Sequence, residues 1–428
     1  MRTAFRTCPL GEATCGSGRS APETSSRGVD RRLGVWGATP DGAGSARDVA
    51  VSGRHDAPMA KTLEARRIQR TIEAVRDISA SVTDAQDLFD DVALQLKEVV
   101  PYDGGLWFGA DPSTALVTFP VRLENIEAGH CESYWQREFM VEDALLFRDV
   151  ARAPRPVGTL HEATDGLPGR SARYREFMVP QGYEGELRAA FRADRASWGF
   201  MSLMRERGRP DFSPAEQAIV DRISGLVADG LRSAAVLASR PAGRQPEGPG
   251  LIMFDEHGML AALNDEARGW LDELPPNPLA RAGGLPSNLL SAVSRARAIA
   301  EGRDAGQARL RLRSRSGRWL VVHASCMRQG DGRIGQTALV IEPARAAEIA
   351  PLIVTAYELS GREQEIVQLI ARGVATNDIA STLFLSPHTV RDHIKAIFEK
   401  VGVSSRGELV AKVFAEHYAQ DLHHREAA

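Results

Sequence analysis

Between positions 388 and 395, His388, Thr389, Arg391, Asp392 and Lys395 share one short segment with the apolar Val390 and Ile394. Arg391 and Lys395 are four residues apart, so on a helix they leave from one face. A guanidinium fork matches a guanine edge or a phosphate, whereas an ammonium acts as a point charge. The chemistry on offer is recognition of a polyanion rather than bond making. Lys400, at the far end of the same segment, suits a backbone phosphate alone. Catalytic signatures are missing: the chain contains no P-loop, HExxH, GxSxG or dinucleotide fingerprint, so it is not expected to be an enzyme. Nor does it carry the early acidic pair and phosphoacceptor Asp of a receiver domain. His130-Cys131 could hold a metal or act as a redox pair, but no further ligands follow at recognisable spacing, and a structural role is preferred. No metal site and no catalytic residue is assigned.

The elements that must position this segment are marked by local signals. Ser360 with Glu363 three residues later forms a capping box for a helix running to Arg372, and Gly373 follows as a left-handed stop. A short helix over 376–383 buries Ile379, Ala380 and Leu383, with Ala380 small enough for close helix crossing. After Phe384-Leu385, Ser386 is placed to cap and Pro387 to open a third helix that ends near Lys400, ahead of Gly402. Val390, Ile394, Ile397 and Phe398 form its inner stripe. Amphipathic periodicity by itself favours a plain solvated bundle. The identities and order of the residues reverse that reading.

Leu359-Ser360-Gly361-Arg362-Glu363, Gly373, Ile379-Ala380, Leu383, Ser386, Thr389-Val390, His393, Lys400, Gly402, Arg406 and Leu409 resemble the LuxR-type helix-turn-helix family over about 60 residues. The resemblance implies that the third helix enters the major groove of double-stranded DNA, with Arg391, Asp392 and Lys395 at reading positions. It adds Thr376, Asn377, His388, Thr389, Lys400 and Arg406 as DNA-binding candidates. Leu409, Val410, Val413 and Phe414 resemble a dimer-forming face, implying a homodimer on DNA. Two departures stand out. Ala375 occupies the place where the family usually caps the second helix with Ser, and Asn377 stands where Lys is common. From Pro351 onward acids slightly outnumber Lys plus Arg, so any attraction to phosphate must be local.

Upstream, 428 residues with 43% hydrophobic and 25% charged composition allow two or three domains, and the net charge of -3 excludes a uniformly basic coat. Residues 1–58, rich in Gly, Ser, Pro, Arg and Asp, read as a disordered arm, or as a segment preceding a true start at Met59. Residues 59–239 open with two amphipathic helices and continue with strand-like runs at 105–108, 115–121, 188–191 and 198–204; Ser213 and Pro214 then begin a closing helix. They look like a GAF-like sensor through Arg170-Ser171-Ala172-Arg173-Tyr174, Glu186-Leu187-Arg188 and Trp198-Gly199. Residues 240–249 are a Pro- and Gly-rich linker. Residues 250–345 resemble a PAS domain through Asp255-Glu256-His257-Gly258, Asn264-Asp265-Glu266-Ala267 and Gly317-Arg318-Trp319-Leu320. Within them a hairpin turns at 255–257, a helix spans 264–274, and strands return at 308–313, 318–325 and 336–341. On the first of those strands Leu310 and Leu312 oppose Arg309, Arg311 and Arg313, as in a sheet wet on one face. Cys326 reads as a small buried hydrophobe, and Trp107, Tyr134, Trp135, Trp198 and Trp270 as core.

The expected fold class is therefore multidomain, with two α+β sensor modules ahead of an all-α four-helix LuxR-type domain at 352–420. The expected function is a one-component DNA-binding regulator answering an unidentified signal; the alternative is a signal-binding adaptor acting by protein contacts alone. The resemblance allows a small-molecule ligand and contact with RNA polymerase, and identifies no cofactor. Cys8, Cys15, Cys131 and Cys326 lack disulfide or zinc spacing, and no secretory leader or 18-residue apolar run is present, pointing to the cytoplasm and away from membranes.

Overall fold

The computed structural model describes residues 56–127, 131–194, 196–237, 248–276, 284–357 and 359–410. Most of the expected arm lies outside these residues, as do His130 and most of the linker. The described chain begins within α1 (Asp56–Ser81), which already includes residues 56–58. Asp84 accepts the N–H groups of Gln86 and Asp87 at 2.7 and 3.4 Å and so starts α2 (Ala85–Lys97). There follow β1 (Gly104–Ala110), β2 (Val117–Glu124), α3 (Cys131–Met140), α4 (Phe147–Arg152), β3 (Val157–Thr159), α5 (Leu160–Ala163), β4 (Tyr183–Ala193), β5 (Ala196–Glu206) and α6 (Pro214–Leu237). Ser213 and Glu216 close a reciprocal capping box at the head of α6.

The five strands form an antiparallel sheet ordered β2-β1-β5-β4-β3. Every residue of β1 is buried, because both faces of the sheet are covered. On one side α1, α2 and α6 pack over Trp107 and Phe191, whose rings lie 5.7 Å apart. On the other, Trp135 and Phe147 pack on Phe108 and Phe200 at 5.3 and 5.0 Å. That second side also holds charge. Arg188, fully buried, donates to Glu186 and Glu138 at 2.8 Å each, to Tyr134 Oη at 2.8 Å and to the Leu145 carbonyl at 3.1 Å. Arg173 donates to Glu186 at 2.8 Å. Burial alone would raise the Glu186 pKa, but Arg173 and Arg188 hold it below the usual carboxylate range. Arg173, Glu186 and Arg188, three of the residues that carried the sensor resemblance, thus meet in one ion cluster.

The second module repeats the same strand order. It contains β6 (Gly250–Phe254), β7 (Leu260–Leu263), α7 (Asp265–Glu273), α8 (Ser287–Ala300), β8 (Arg309–Arg313), β9 (Trp319–Arg328) and β10 (Ile334–Pro343), with the sheet ordered β7-β6-β10-β9-β8. Asn264 caps α7 by accepting the Ala267 N–H at 2.9 Å. A Cβ at Gly250 would sit 2.7 Å from the Ala267 backbone, so only glycine lets the first strand meet this helix. Trp107, Tyr134, Trp135, Trp198 and Trp270 are all buried.

The outer face of β8 is not wet. Arg311 is 5% exposed and clamps Asp111 of the first module, with Nη2 2.6 Å from Oδ1 and Nε 2.8 Å from Oδ2. Arg309 pairs with Glu348 at 2.7 Å, and Arg313 donates to the Ala235 carbonyl at 3.0 Å. The alternation was real, but the polar face meets protein. Cys326 is only half-buried, its Sγ 3.2 Å from Thr337 Oγ1.

Glu348 belongs to α9 (Ala346–Ala356), a helix containing Pro351 that packs against α6 and buries Ile349 and Leu352. The boundary expected at 352 falls inside it. The chain ends its described course with α10 (Gly361–Ala371), α11 (Thr376–Leu383), α12 (Pro387–Val401) and α13 (Arg406–Val410). Two α+β modules and a helical C-terminal part make up the fold class read from sequence. No helix among the described residues is long and apolar enough to cross a membrane.

Candidate nucleic-acid interface

Ser360 Oγ accepts the Glu363 N–H at 3.3 Å while the Glu363 carboxylate accepts the Ser360 N–H at 2.7 Å, so the start of α10 is fixed from both directions. Gly373, at φ +79°, turns the chain out of α10. α11 then starts on Ala375 with no side-chain cap, the local weakness read from sequence. Its end is a left-handed Phe384, φ +55° and 95% exposed, after which Leu385 N–H reaches back to the Ala380 carbonyl at 2.9 Å. Ser386 caps α12 through the Thr389 N–H at 3.0 Å, Pro387 fills its first position, and Gly402 at φ +66° ends it.

Ile379, Ala380, Val390, Ile397 and Leu409 are buried between these helices, with Ile394 and Phe398 half-buried beside them. This packing turns the other side of α12 outward. His388, Arg391, Asp392 and Lys395 are exposed. His388 Nδ1 lies 2.8 Å from Asp392 Oδ2, so the acid among the expected reading positions is engaged along its own helix. Arg391 and Lys395 form no ion pair among the described residues. An extended cation pair on an anchored helix can meet base edges or phosphates without first breaking an internal bond.

Other candidates are placed differently. Lys400 donates to Glu363 at 2.7 Å, tying the end of α12 to the cap of α10. Burial raises the Glu363 pKa, but Lys400 and Ser360 outweigh it and hold the carboxyl below its usual range. Arg406 is half-buried and donates to the Val374 carbonyl. Thr389 is half-buried, its hydroxyl 2.8 Å from Ser386 Oγ, and serves the cap. Thr376 is half-buried and Asn377 exposed at the start of α11. Leu409 is buried in the chain's own core and Val410 is half-buried against it, while Val413 and Phe414 lie outside the described residues. The second role of Glu363 was missed because its partner is 37 positions away, beyond any local spacing rule.

The sequence model of the bacterial regulatory proteins of the luxR family matches residues 357–413. The probable transcriptional regulatory protein NarL of Mycobacterium tuberculosis is 39% identical over 72 residues, 17% of this chain and 31% of that protein. The chain thus spans about a third of the length of the NarL proteins it matches. Among solved structures, the GAF domain of an Acinetobacter phosphoenolpyruvate-protein phosphotransferase aligns with a TM-score of 0.28 and 12% identity, covering 41% of this chain and 97% of that one. Escherichia coli SdiA aligns with a TM-score of 0.27 and 13% identity over 79% of this chain and 94% of its own. The spore germination protein GerE of Bacillus subtilis is 40% identical over 55 residues, 13% of this chain but 74% of that protein. By that match over about three quarters of a small relative, with the family model matching the helices around α12, the chain belongs to the LuxR family of bacterial regulatory proteins.

Proposed function

We propose that the chain is a one-component transcription regulator that places α12 in the major groove and reads bases through Arg391 and Lys395. In this reading residues 59–239 and 250–345 are the GAF-like and PAS-like sensing modules, and residues 352–420 bind DNA as a homodimer. The observation that carries it is the exposed Arg391 and Lys395, without an ion pair among the described residues, on a helix whose opposite face is anchored by Val390 and Ile397. Lys400 and Arg406 hold the helices in place, and His388, Asp392, Thr376 and Asn377 flank the contact. The partner is double-stranded DNA, with a small-molecule signal acting upstream; catalysis has no support from any arrangement in the described residues.

Fragments selected from genomic DNA by the full-length chain, titrated at increasing salt, test this. Release of counterions makes specific affinity fall steeply as salt rises. Absence of any selected fragment, or an affinity indifferent to salt, would favour an adaptor working through protein contacts.

A further inference from the structure

A cleft of about 1010 Å³ opens between α3 and α4 of the first module and residues 303–307 of the second, the turn from α8 into β8. Its volume is at the upper end of the range for small-molecule sites. The aromatic core beneath it is closed, with Trp135, Phe147 and Phe200 at most 4% exposed, so the surface it offers comes from the rim. Phe139 and Ala151, both half-buried, supply apolar surface there.

Both walls are held from behind. Arg192 donates to the Ala151 and Ala153 carbonyls at 3.2 and 2.7 Å and so fixes the end of α4. On the other side Arg295 donates to the Thr114 carbonyl, in the loop between β1 and β2, and lies 3.2 Å from Asp304. A Cβ at Gly306 would collide with this guanidinium, so glycine lets the turn close over it.

Most charges in the lining are matched inside the chain. Glu138 accepts from Arg188 at 2.8 Å, Asp304 pairs with Arg295, and Arg303 donates to Glu301 at 2.9 Å. Arg148 and Arg152 are the exceptions. They lie four residues apart on α4 and so leave from one face. Arg148 has only Asp149, 3.9 Å away and beyond hydrogen-bond reach. Arg152 is exposed and forms no ion pair or hydrogen bond among the described residues. With both acids of the lining neutralised, the cleft carries two uncompensated guanidinium charges beside an apolar patch.

We infer that this inter-module cleft binds a small organic dianion, a phosphate monoester or a dicarboxylate, whose charges are held by Arg148 and Arg152 and whose apolar body rests on Phe139 and Ala151. A guanidinium fork grips a carboxylate or phosphate through parallel N–H···O bonds, and neither arginine must first give up a hydrogen-bonded partner. A molecule bound here touches both sensor modules at once. As the signal of the regulator it rests on that reading and gives the signal a chemical class; as a binding site it is tested without DNA.

Isothermal titration calorimetry of the full-length chain with phenyl phosphate and with phthalate, at constant ionic strength and about pH 8, where a phosphate ester has lost its second proton, tests the site. The expected result is one saturable site per chain for at least one probe, and the tighter of the two names the class of anion. Benzoate, with one charge, and inorganic phosphate, with no apolar body, should each bind about tenfold or more weakly. Arg148→Gln and Arg152→Gln should each weaken the tighter probe about tenfold, with circular dichroism checking that the variants are folded. Arg155, nearby but paired with Asp221 at 3.6 Å and outside the lining, is the control, and Arg155→Gln should leave affinity unchanged. Saturation by neither probe, benzoate or inorganic phosphate binding as tightly as the better probe, affinity unchanged in both α4 variants, or an equal loss in Arg155→Gln overturns the proposal. Because no DNA is present, loss of this site and loss of DNA selection are separate results.

Discussion

Arg188 and Arg391 are the same side chain in opposite settings. Arg188 is fully buried and engages two carboxylates, a phenol and a carbonyl. Arg391 is exposed on α12 with no ion partner among the described residues. The first has its electrostatic needs met inside the chain and can only stabilise it. The second leaves its fork available to something outside. Charge type alone does not separate structure from recognition; the completeness of the internal bonding does.

The sharpest way to break that contrast is to remove each arginine in turn. Arg188→Ala should cost about 3–5 kcal/mol of stability, because Glu138 and Glu186 lose a buried partner, and urea unfolding would show it. Arg391→Ala should leave unfolding within about 0.5 kcal/mol of the parent but cost about 1–3 kcal/mol of affinity for a selected DNA fragment, with preference relaxed at one base position. An Arg391 variant that binds the fragment normally would remove α12 as the reading element. A destabilised Arg391 variant would show that its exposure is deceptive.

Two smaller effects refine the comparison within the helical part. Glu363 is held below the ordinary carboxylate range in the folded chain, so its contribution is complete at neutral pH and is lost as pH falls through its lowered value. Glu363→Gln should therefore melt at a lower temperature than the parent near neutrality, and the gap should close in acid. A constant gap would mean that the carboxylate charge is not what matters. The smallest effect is a gain: Ala375→Ser supplies the missing cap of α11 and should stabilise by about 0.5–1 kcal/mol, read as a raised melting temperature of the full chain.

The helical part was legible because its instructions are local. Ser360 with Glu363, Ser386 with Pro387, and Gly402 each act within four residues of themselves, and the structure uses all of them. The spacing of Arg391 and Lys395 likewise needed only the helical period. What depended on distant chain was lost. Arg311 alternates with Leu310 and Leu312 as a wet-faced strand would, and nothing in that pattern announces Asp111. Lys400 has the position of a phosphate ligand, and nothing local to it announces the ion pair with Glu363. α8 and α9 escaped notice for a different reason: α8 buries Ser287, Asn288 and Ser291 along with Leu289 and Val293, and α9 contains Pro351, so neither shows a clean apolar stripe against a polar face.

The Asp111 and Arg311 clamp also bears on how the molecule can be taken apart. Its two halves are 200 positions apart and fall on opposite sides of the proline- and glycine-rich stretch before Gly250. A cut in that stretch severs the covalent chain and leaves the clamp closed. Pulling the pieces apart would then strip a carboxylate and a guanidinium of the counter-charge each has among the described residues, at the same moment as it wets the surface between the sheets. The nicked protein is therefore expected to migrate as one particle on size exclusion and to come apart only with denaturant. Either module produced alone would carry an open wound that invites aggregation, so the obvious seam in the sequence is a poor place to divide the protein.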